Sequence, residues 1–157
     1  MSSLLTQFHN LKQSSYKTVW HFQMTLMDKI KKAKRSRTIS QRNDSDSVLN
    51  HLIFCEHLPV ITIGKSGKEK NLLFTEEQMM DKGIEVHKIN RGGDITYHGP
   101  GQLTGYLILD LELLYRDVHK YVRTIEEAII RLLQEYDIVG ERLEGFTGVW
   151  VRREAQL

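Results

Sequence analysis

The sequence predicts an α/β (α+β) fold in which a mixed, largely antiparallel sheet is flanked by helices. Three observations support this prediction. Helix-like and strand-like patterns follow one another as a helix, two strands, a helix, strands, a helix and strands. Residues 117–136 place apolar side chains at i, i+3 and i+4, the spacing of an amphipathic helix. Residues 91–106 hold five of the 11 glycines within an otherwise strand-forming sequence.

The first predicted element is a helix. Ser14 or Ser15 can cap it, and a broken apolar stripe runs through residues 16–34. Residues 36–47 are polar and rich in Ser, Asn and Asp, which predicts a loop. A run of basic residues without an acid predicts a cationic helix end that complements the helix dipole, with a docking patch for an acidic protein as the alternative. This run consists of Lys29, Lys31, Lys32, Lys34, Arg35, Arg37 and Arg42.

The middle of the chain alternates short strands with a short helix. Residues 51–55 and 60–63 are apolar and bounded by turn residues, as strands are. Thr75 opens a capping-box sequence and Gly83 is a suitable stop, so we expect a helix between them. Residues 84–89 alternate sufficiently to predict another strand.

Three further elements follow the glycine-rich stretch. Residues 103–111 alternate Leu with other residues, which predicts a buried strand. The helix at 117–136 comes next. Residues 142–143 and 149–151 then predict two short strands around a turn at Gly145. With no repeat and no linker, residues 1–157 form a single predicted domain.

Length and composition exclude several classes of protein. A chain of 157 residues and 18.3 kDa, 40% hydrophobic and 27% charged, is long enough to fold around its own core and is not a disordered chain. A single cysteine excludes an intramolecular disulfide and a cysteine-based zinc site. The net charge of +2 gives no nucleic-acid signature. Because the sequence contains neither a membrane-length apolar stretch nor a signal peptide, we expect a soluble cytoplasmic protein.

Several residues invite chemical interpretations that their surroundings do not favour. Gly64 begins a Gly-Lys-Ser triplet, but Pro59 stands where a phosphate-binding loop needs its first glycine. His51, Cys55 and His57 share one parity of a strand and could ligate a metal, although a short apolar strand more often buries such side chains. Cys55 lies between Phe and Glu, which raise a thiol pKa, so we expect a structural rather than a catalytic cysteine.

The stretch that begins at residue 91 combines features of a ligand site. A pair of glycines lets a ligand touch the backbone, a cation can orient a carbonyl or an anionic group, and a histidine lies at a Gly-Pro-Gly turn. The alternative is a glycine-bent sheet corner with ordinary side chains. The candidate substrate-binding residues are Arg91, Gly92, Gly93, Asp94, Ile95, Thr96, Tyr97 and His98.

The run RGGDITYHGPGQLTGY at 91–106 resembles the signature of the lipoate-protein ligase B family, the octanoyltransferases. Three further segments resemble the family in the same order: EHLPVITIG at 56–64, the loop at 67–73 and GVWV at 148–151. The resemblance covers residues 49–151. It implies the fold of the biotin/lipoate ligase catalytic domain, with residues 91–98 forming a wall of the substrate site.

The resemblance also implies an activity. Family members move an octanoyl group from acyl carrier protein to a lysine of a lipoyl domain in lipoate biosynthesis. Their reaction passes through an acyl-thioester on a cysteine that a lysine activates, and it needs no cofactor or metal. The implied acceptors are the lipoyl domains of 2-oxoacid dehydrogenases and the glycine cleavage H protein, with no nucleic-acid or membrane partner.

The family's catalytic Lys and Cys both follow the GVWV segment, so the resemblance places them beyond Leu157. We therefore expect no catalytic residue within this chain and a domain that is incomplete at its C-terminus. Two alternatives stay open. One is an ATP-dependent lipoate or biotin ligase of the same fold, and the other is a non-catalytic protein that binds acyl groups or carrier proteins.

Overall fold

The computed structural model describes residues 5–36, 49–114 and 117–152. The predicted loop at 36–47 therefore lies outside the described residues, except that Ser36 ends a helix. The fold divides into two compact units, Met1–Asp110 and Leu111–Leu157. Within the described ranges, no helix has both the length and the hydropathy that a membrane span requires. The single domain stays a prediction.

The first unit contains two three-stranded sheets. One has the strand order β1-β2-β6 and the other β4-β3-β5. The elements in chain order are β1 (Thr6–Ser14), α1 (Tyr16–Ser36), β2 (Asn50–His57), β3 (Val60–Ile63), a 3-10 turn (Glu69–Asn71), α2 (Glu76–Asp81), β4 (Glu85–Lys88), β5 (Ile95–His98) and β6 (Leu103–Ile108).

The mixed sheet is confirmed, and parallel pairing takes a larger share of it than the sequence predicts. β1 pairs in parallel with β2, and β3 pairs in parallel with β4. Each parallel pair is joined by a helix-containing crossover, which parallel neighbours require. β2–β6 and β3–β5 are antiparallel. Strand β1 is not among the elements predicted from the sequence, because this edge strand is mostly exposed and carries little apolar alternation.

Helix α1 and strands β2 and β3 build the core of the first unit. Val19, Leu26 and Ile30 of α1 are buried, as are Ile53 of β2 and Val60 of β3. Ser15 caps α1, since its Oγ accepts a hydrogen bond from the Thr18 N–H. The helix therefore begins where the sequence predicts and extends two residues further, through Ser36.

Two predictions in the first unit have clear outcomes. The capping box at Thr75 is present, since Thr75 and Gln78 exchange side chain-to-backbone hydrogen bonds. The prediction of a buried strand at 103–111 is wrong in two respects. β6 ends at Ile108, and Leu103 is 64% exposed. As the edge strand of its sheet, β6 alternates between a covered and an uncovered face.

The second unit consists of two helices and a hairpin. These are α3 (Leu111–Leu114), α4 (Val118–Gln134), β7 (Gly140–Glu141) and β8 (Trp150–Val151), with β7 and β8 antiparallel. Asp117 caps α4 and accepts hydrogen bonds from the His119 and Lys120 N–H groups.

The predicted strand at 142–143 is wrong, because the strand forms two residues earlier and Arg142 instead turns its side chain back to α4. Its guanidinium donates to Glu126 and Glu127 there.

Candidate active site

A cavity of about 500 Å³ opens in the first unit where side chains of both sheets meet the first half of α1. It has the size of a small-molecule site. Residues of α1, β3, the turn after β4, β5 and β6 line it. They are Tyr16, Trp20, Gln23, Thr62, Ile89, Asn90, Arg91, Thr96, His98, Thr104 and Tyr106.

The Arg91 guanidinium is held by hydrogen bonds to neighbouring residues of the protein. Nη2 donates to the Thr62 carbonyl at 3.0 Å, to Thr62 Oγ1 at 2.9 Å and to Thr96 Oγ1 at 2.7 Å. Nη1 donates to the Gly92 carbonyl at 2.9 Å. Arg91 therefore fixes two threonines in the cavity wall rather than offering a free fork to an anion.

The turn at 91–94 packs against the loop that follows β3. Three backbone N–H groups of that loop donate to turn carbonyls: Gly64 to Asp94, Lys65 to Arg91 and Ser66 to Gly93, at 2.9, 2.9 and 3.1 Å. These donors are consequently engaged, so the Gly-Lys-Ser triplet has no free amide cradle for a phosphate. A Cβ on Gly64 would lie 2.4 Å from the Gly93 carbonyl oxygen, which explains the glycine.

Asp94 ties the same loop to the turn. Its Oδ1 accepts from the Lys68 N–H at 3.2 Å, and its Oδ2 accepts from Asn71 Nδ2 at 2.7 Å. Both carboxylate oxygens thus bind the protein itself. Asp94 holds the shape of the turn and does not line the cavity.

Different structural features explain why each of the two adjacent motif positions holds a glycine. Gly93 has a φ of +84°, a left-handed conformation that favours glycine. Gly92 has no positive φ, and a Cβ placed on it would meet nothing within 4 Å. The space above Gly92 is therefore open, and its lack of a side chain leaves backbone accessible.

The remaining motif residues lie alternately on the two faces of strand β5. Thr96 and His98 line the cavity, whereas Ile95 and Tyr97 do not, and Tyr97 is 52% exposed. His98 donates from Nδ1 to Gln102 Oε1 at 2.7 Å, which fixes its ring. Of the eight predicted substrate-binding residues, the structure brings Arg91, Thr96 and His98 to the cavity wall.

Most cavity residues outside the glycine-rich motif were not predicted from the sequence. Tyr106 Oη lies 2.7 Å from Nε2 of the fully buried His57. Burial raises the pKa of Tyr106, so the phenol stays protonated. Burial, and then the charge of His98, lowers the pKa of His57, which keeps that imidazole neutral near pH 7. Alternation at 103–108 places Thr104 and Tyr106 on one face, a signal that becomes useful once the strand pairing is known.

Cys55 is 1% exposed, and its Sγ lies 3.6 Å from His57 Nε2. Burial raises the pKa of the thiol, which lowers the thiolate fraction that a nucleophile needs. The strand's other candidate metal ligand, His51, pairs with His9. The described ranges contain no group of three or more His, Cys, Asp or Glu side chains arranged to hold a metal.

Comparison with solved structures defines the class of fold. The chain superposes on a bi-partite lipoate protein ligase from Thermoplasma acidophilum with a TM-score of 0.56 at 19% identity, covering 90% of this chain and 49% of that one. A lipoate-protein ligase A bound with ATP gives 0.55 at 19% identity, with coverage of 89% and 51%. The chain therefore has the lipoate ligase catalytic fold that the family resemblance implies.

Sequence comparison defines the family. The model of the lipoyl protein ligase A/B catalytic domain matches residues 15–154, and the chain belongs to this family. An octanoyltransferase of Flavobacterium psychrophilum is 49% identical over 145 residues, and one of Parabacteroides distasonis is 47% identical over 148. These alignments cover 92% and 94% of this chain but 62% and 63% of the relatives, so the chain spans about three fifths of their length.

Proposed function

We propose that this chain forms part of an octanoyltransferase, which moves an octanoyl group from acyl carrier protein to a lysine of a lipoyl domain in lipoate biosynthesis. One observation carries the proposal: three residues of the family signature, Arg91, Thr96 and His98, line a cavity of small-molecule size. The octanoyltransferase relatives support the same activity. The family match over residues 15–154 supports one catalytic domain built from both units.

In this proposal the cavity holds the octanoyl thioester. Trp20 and Ile89 supply apolar surface for the acyl chain. The hydroxyls of Thr96 and Tyr106 supply donors for the thioester carbonyl. Because Tyr106 keeps its proton and His57 stays neutral, this wall carries hydrogen-bonding groups that suit an uncharged thioester.

The residues of the predicted substrate-binding stretch have different roles in this proposal. Thr96 and His98 contact the acyl thioester, while Arg91 positions the threonines. Gly92 leaves room for the ligand to approach the backbone. Gly93 and Asp94 maintain the turn, and Ile95 and Tyr97 face away from the cavity. The eight residues predicted from the sequence to bind substrate therefore include residues that contact the ligand and residues that only shape the site.

The acyl-accepting nucleophile is not Cys55 in this proposal. The buried thiol with its raised pKa supports that exclusion, and it is the only cysteine of the chain. A thiolate attacks the thioester carbonyl, and the carrier thiolate leaves as the new thioester forms. The acceptor lysine amine then attacks, forms an amide, loses a proton and releases the enzyme thiol. The resemblance assigns the thiol and its activating lysine to positions beyond Leu157.

The proposed acceptors are the lipoyl domains of 2-oxoacid dehydrogenases and the glycine cleavage H protein. The proposed compartment is the cytoplasm, where acyl carrier protein supplies the donor.

Octanoyl transfer from octanoyl-acyl carrier protein to a lipoyl domain, followed by mass spectrometry, tests the proposal. The 157-residue chain is compared with the same chain extended by the C-terminal segment of an octanoyltransferase relative. We expect transfer only by the extended chain, and the same transfer by its Cys55→Ala variant. An octanoyl adduct on Cys55, or turnover by the short chain at about 1 s⁻¹ or more, would contradict this account of the nucleophile.

Two other functions would give different experimental results. The fold is shared with a ligase solved with ATP, and ATP-dependent adenylation of lipoate by the extended chain would favour a ligase. The absence of an accessible thiol in these 157 residues favours a binding protein, which would retain octanoyl-carrier affinity in both lengths and transfer nothing.

A further inference from the structure

A second cavity, of about 430 Å³, lies beside the C-terminal half of α1. It opens between that helix and the strands β1 and β2. It shares no lining residue with the candidate active site, whose lining residues from α1 are Tyr16, Trp20 and Gln23. Its volume falls within the range of small-molecule sites.

One wall of this cavity is apolar. Phe22, Leu26 and Ile30 recur at four-residue spacing and therefore form one stripe along α1. Leu26 and Ile30 are 4% and 8% exposed, so the stripe continues into the core. Leu49 also lines the cavity. Such a wall suits a hydrocarbon group.

The lining of this cavity also contains a pair of histidines. His9 Nε2 and His51 Nδ1 lie 3.0 Å apart, and His51 is 4% exposed. Burial lowers the pKa of His51, with further lowering by His9 and Lys29, so His51 is neutral near pH 7. Each imidazole carries at least one N–H group, and the contact between the two rings uses one of these groups. The second N–H is left on an outer edge in either tautomeric arrangement.

A cation accompanies this N–H donor. Lys29 lies in the same cavity lining and is close enough to His51 for its charge to lower that pKa. Lys29 forms no ion pair with the described part of the chain, and the nearby Asp28 is paired with Lys31. The described residues of the lining include no carboxylate. Together, Lys29 and the histidine N–H are thus complementary to an anion.

We propose that this cavity is a separate binding site for a small amphiphilic anion, a monocarboxylate with an unbranched hydrocarbon tail. Lys29 and the free histidine N–H bind the carboxylate, and the tail lies along Phe22, Leu26 and Ile30. The proposal does not depend on the proposed transferase activity, because the site has its own lining residues.

Histidine ring NMR signals of the full chain distinguish the two cavities in one titration. His9 and His51 report on the second cavity, whereas His57 and His98 report on the candidate active site. With hexanoate, octanoate and decanoate as probes, we expect saturable shifts at His9 and His51. The affinity rises about fourfold per added methylene until the cavity is full. The uncharged 1-octanol binds at least about tenfold more weakly, because it lacks the charge-assisted hydrogen bonds.

Lys29→Gln tests the anion subsite, with Lys32→Gln on the same helix as the matched control outside the lining. We expect Lys29→Gln to weaken octanoate binding at His9 and His51 by at least about tenfold, with no change at His57 and His98. Equal effects of the two variants, a response confined to His57 and His98, or equal affinity for octanoate and 1-octanol would each overturn the proposal.

Discussion

Arg91 and Glu126 each hold a loop in place through several hydrogen bonds, yet they do so in different settings. Arg91 donates to acceptors on Thr62, Thr96 and Gly92 and borders a cavity. Glu126, in α4, accepts from Arg123 Nη1 at 2.7 Å, from Arg142 Nε at 3.1 Å and from the Gly148 N–H at 2.8 Å. The Glu126 side chain is 4% exposed.

The difference separates a structural cluster from one that borders the candidate active site. The loop around Glu126 closes over its anchor. The Gly148 N–H and the Arg123 guanidinium, followed by Arg142, hold the pKa of the carboxyl below its usual range. The turn anchored by Arg91 instead leaves open space over Gly92. A charged side chain with a full set of hydrogen bonds therefore points to a candidate site only where the loop that it holds borders open space.

The largest expected loss of stability comes from Gly64→Ala. Its Cβ would lie 2.4 Å from the Gly93 oxygen and 3.0 Å from the Gly92 oxygen, both of them backbone atoms that cannot rotate away. We expect the free energy of unfolding to fall by about 3 kcal/mol in urea denaturation. Unchanged stability would mean that the two loops do not pack as described.

Arg91→Lys should have the next largest effect. An ammonium cannot reproduce the planar fork that reaches both threonines, so we expect a loss of about 2 kcal/mol of unfolding free energy. Because the two threonines of the cavity wall would then shift, the affinity for octanoyl-acyl carrier protein should also fall more than about tenfold. The control is Arg131→Lys, at a side chain 75% exposed on α4. Arg91→Lys with the affinity of wild type would remove Arg91 from the site.

Glu126→Gln should produce a smaller effect that depends on pH. Because the folded-state pKa of Glu126 is lowered, its carboxylate stabilises the fold above the unfolded pKa of about 4.3, and this contribution is lost as the pH falls through the folded value. Wild type should therefore melt at a higher temperature than the variant at pH 7, and the two should converge toward pH 3. The control variant is Glu135→Gln, at the exposed end of α4.

Gly92→Ala should have the smallest effect on stability. The backbone there has no positive φ and the Cβ meets nothing, so we expect no loss and a gain of up to roughly 0.4–1 kcal/mol from the unfolded chain. Octanoyl-carrier affinity, measured by calorimetry, should nonetheless fall severalfold. Wild-type affinity would show that no ligand approaches this backbone, and the cavity would then lose its link to the glycine pair.

Much of the secondary structure could be predicted from residues alone. Helix α1, strand β3 and the capping box of α2 depend on local patterns, and they form where those patterns predict. The strand at 142–143 could not be placed correctly, because the attraction of Arg142 to Glu126 is a tertiary interaction.

The candidate site was predicted in part. The glycine-rich motif identified the Arg91 turn and β5, because close backbone approach leaves a compositional signal. Tyr16 and Tyr106 carry no such signal, since each looks like an ordinary core aromatic. His57 stands out in the sequence only as a possible metal ligand, and its contacts with the two tyrosines form only in the tertiary structure.

The sequence by itself determined the periodic helices, the glycine-bent turn and the family, since these depend on residue order and local backbone preference. Only the tertiary structure decided which face of β5 borders the cavity, because strand pairing and not composition sets the face. Tertiary structure also decided that Arg91 is a positioning group, because Thr62 and Thr96 meet it only when β3 pairs with β5. The Lys29 cavity likewise exists only once α1 packs beside β1 and β2.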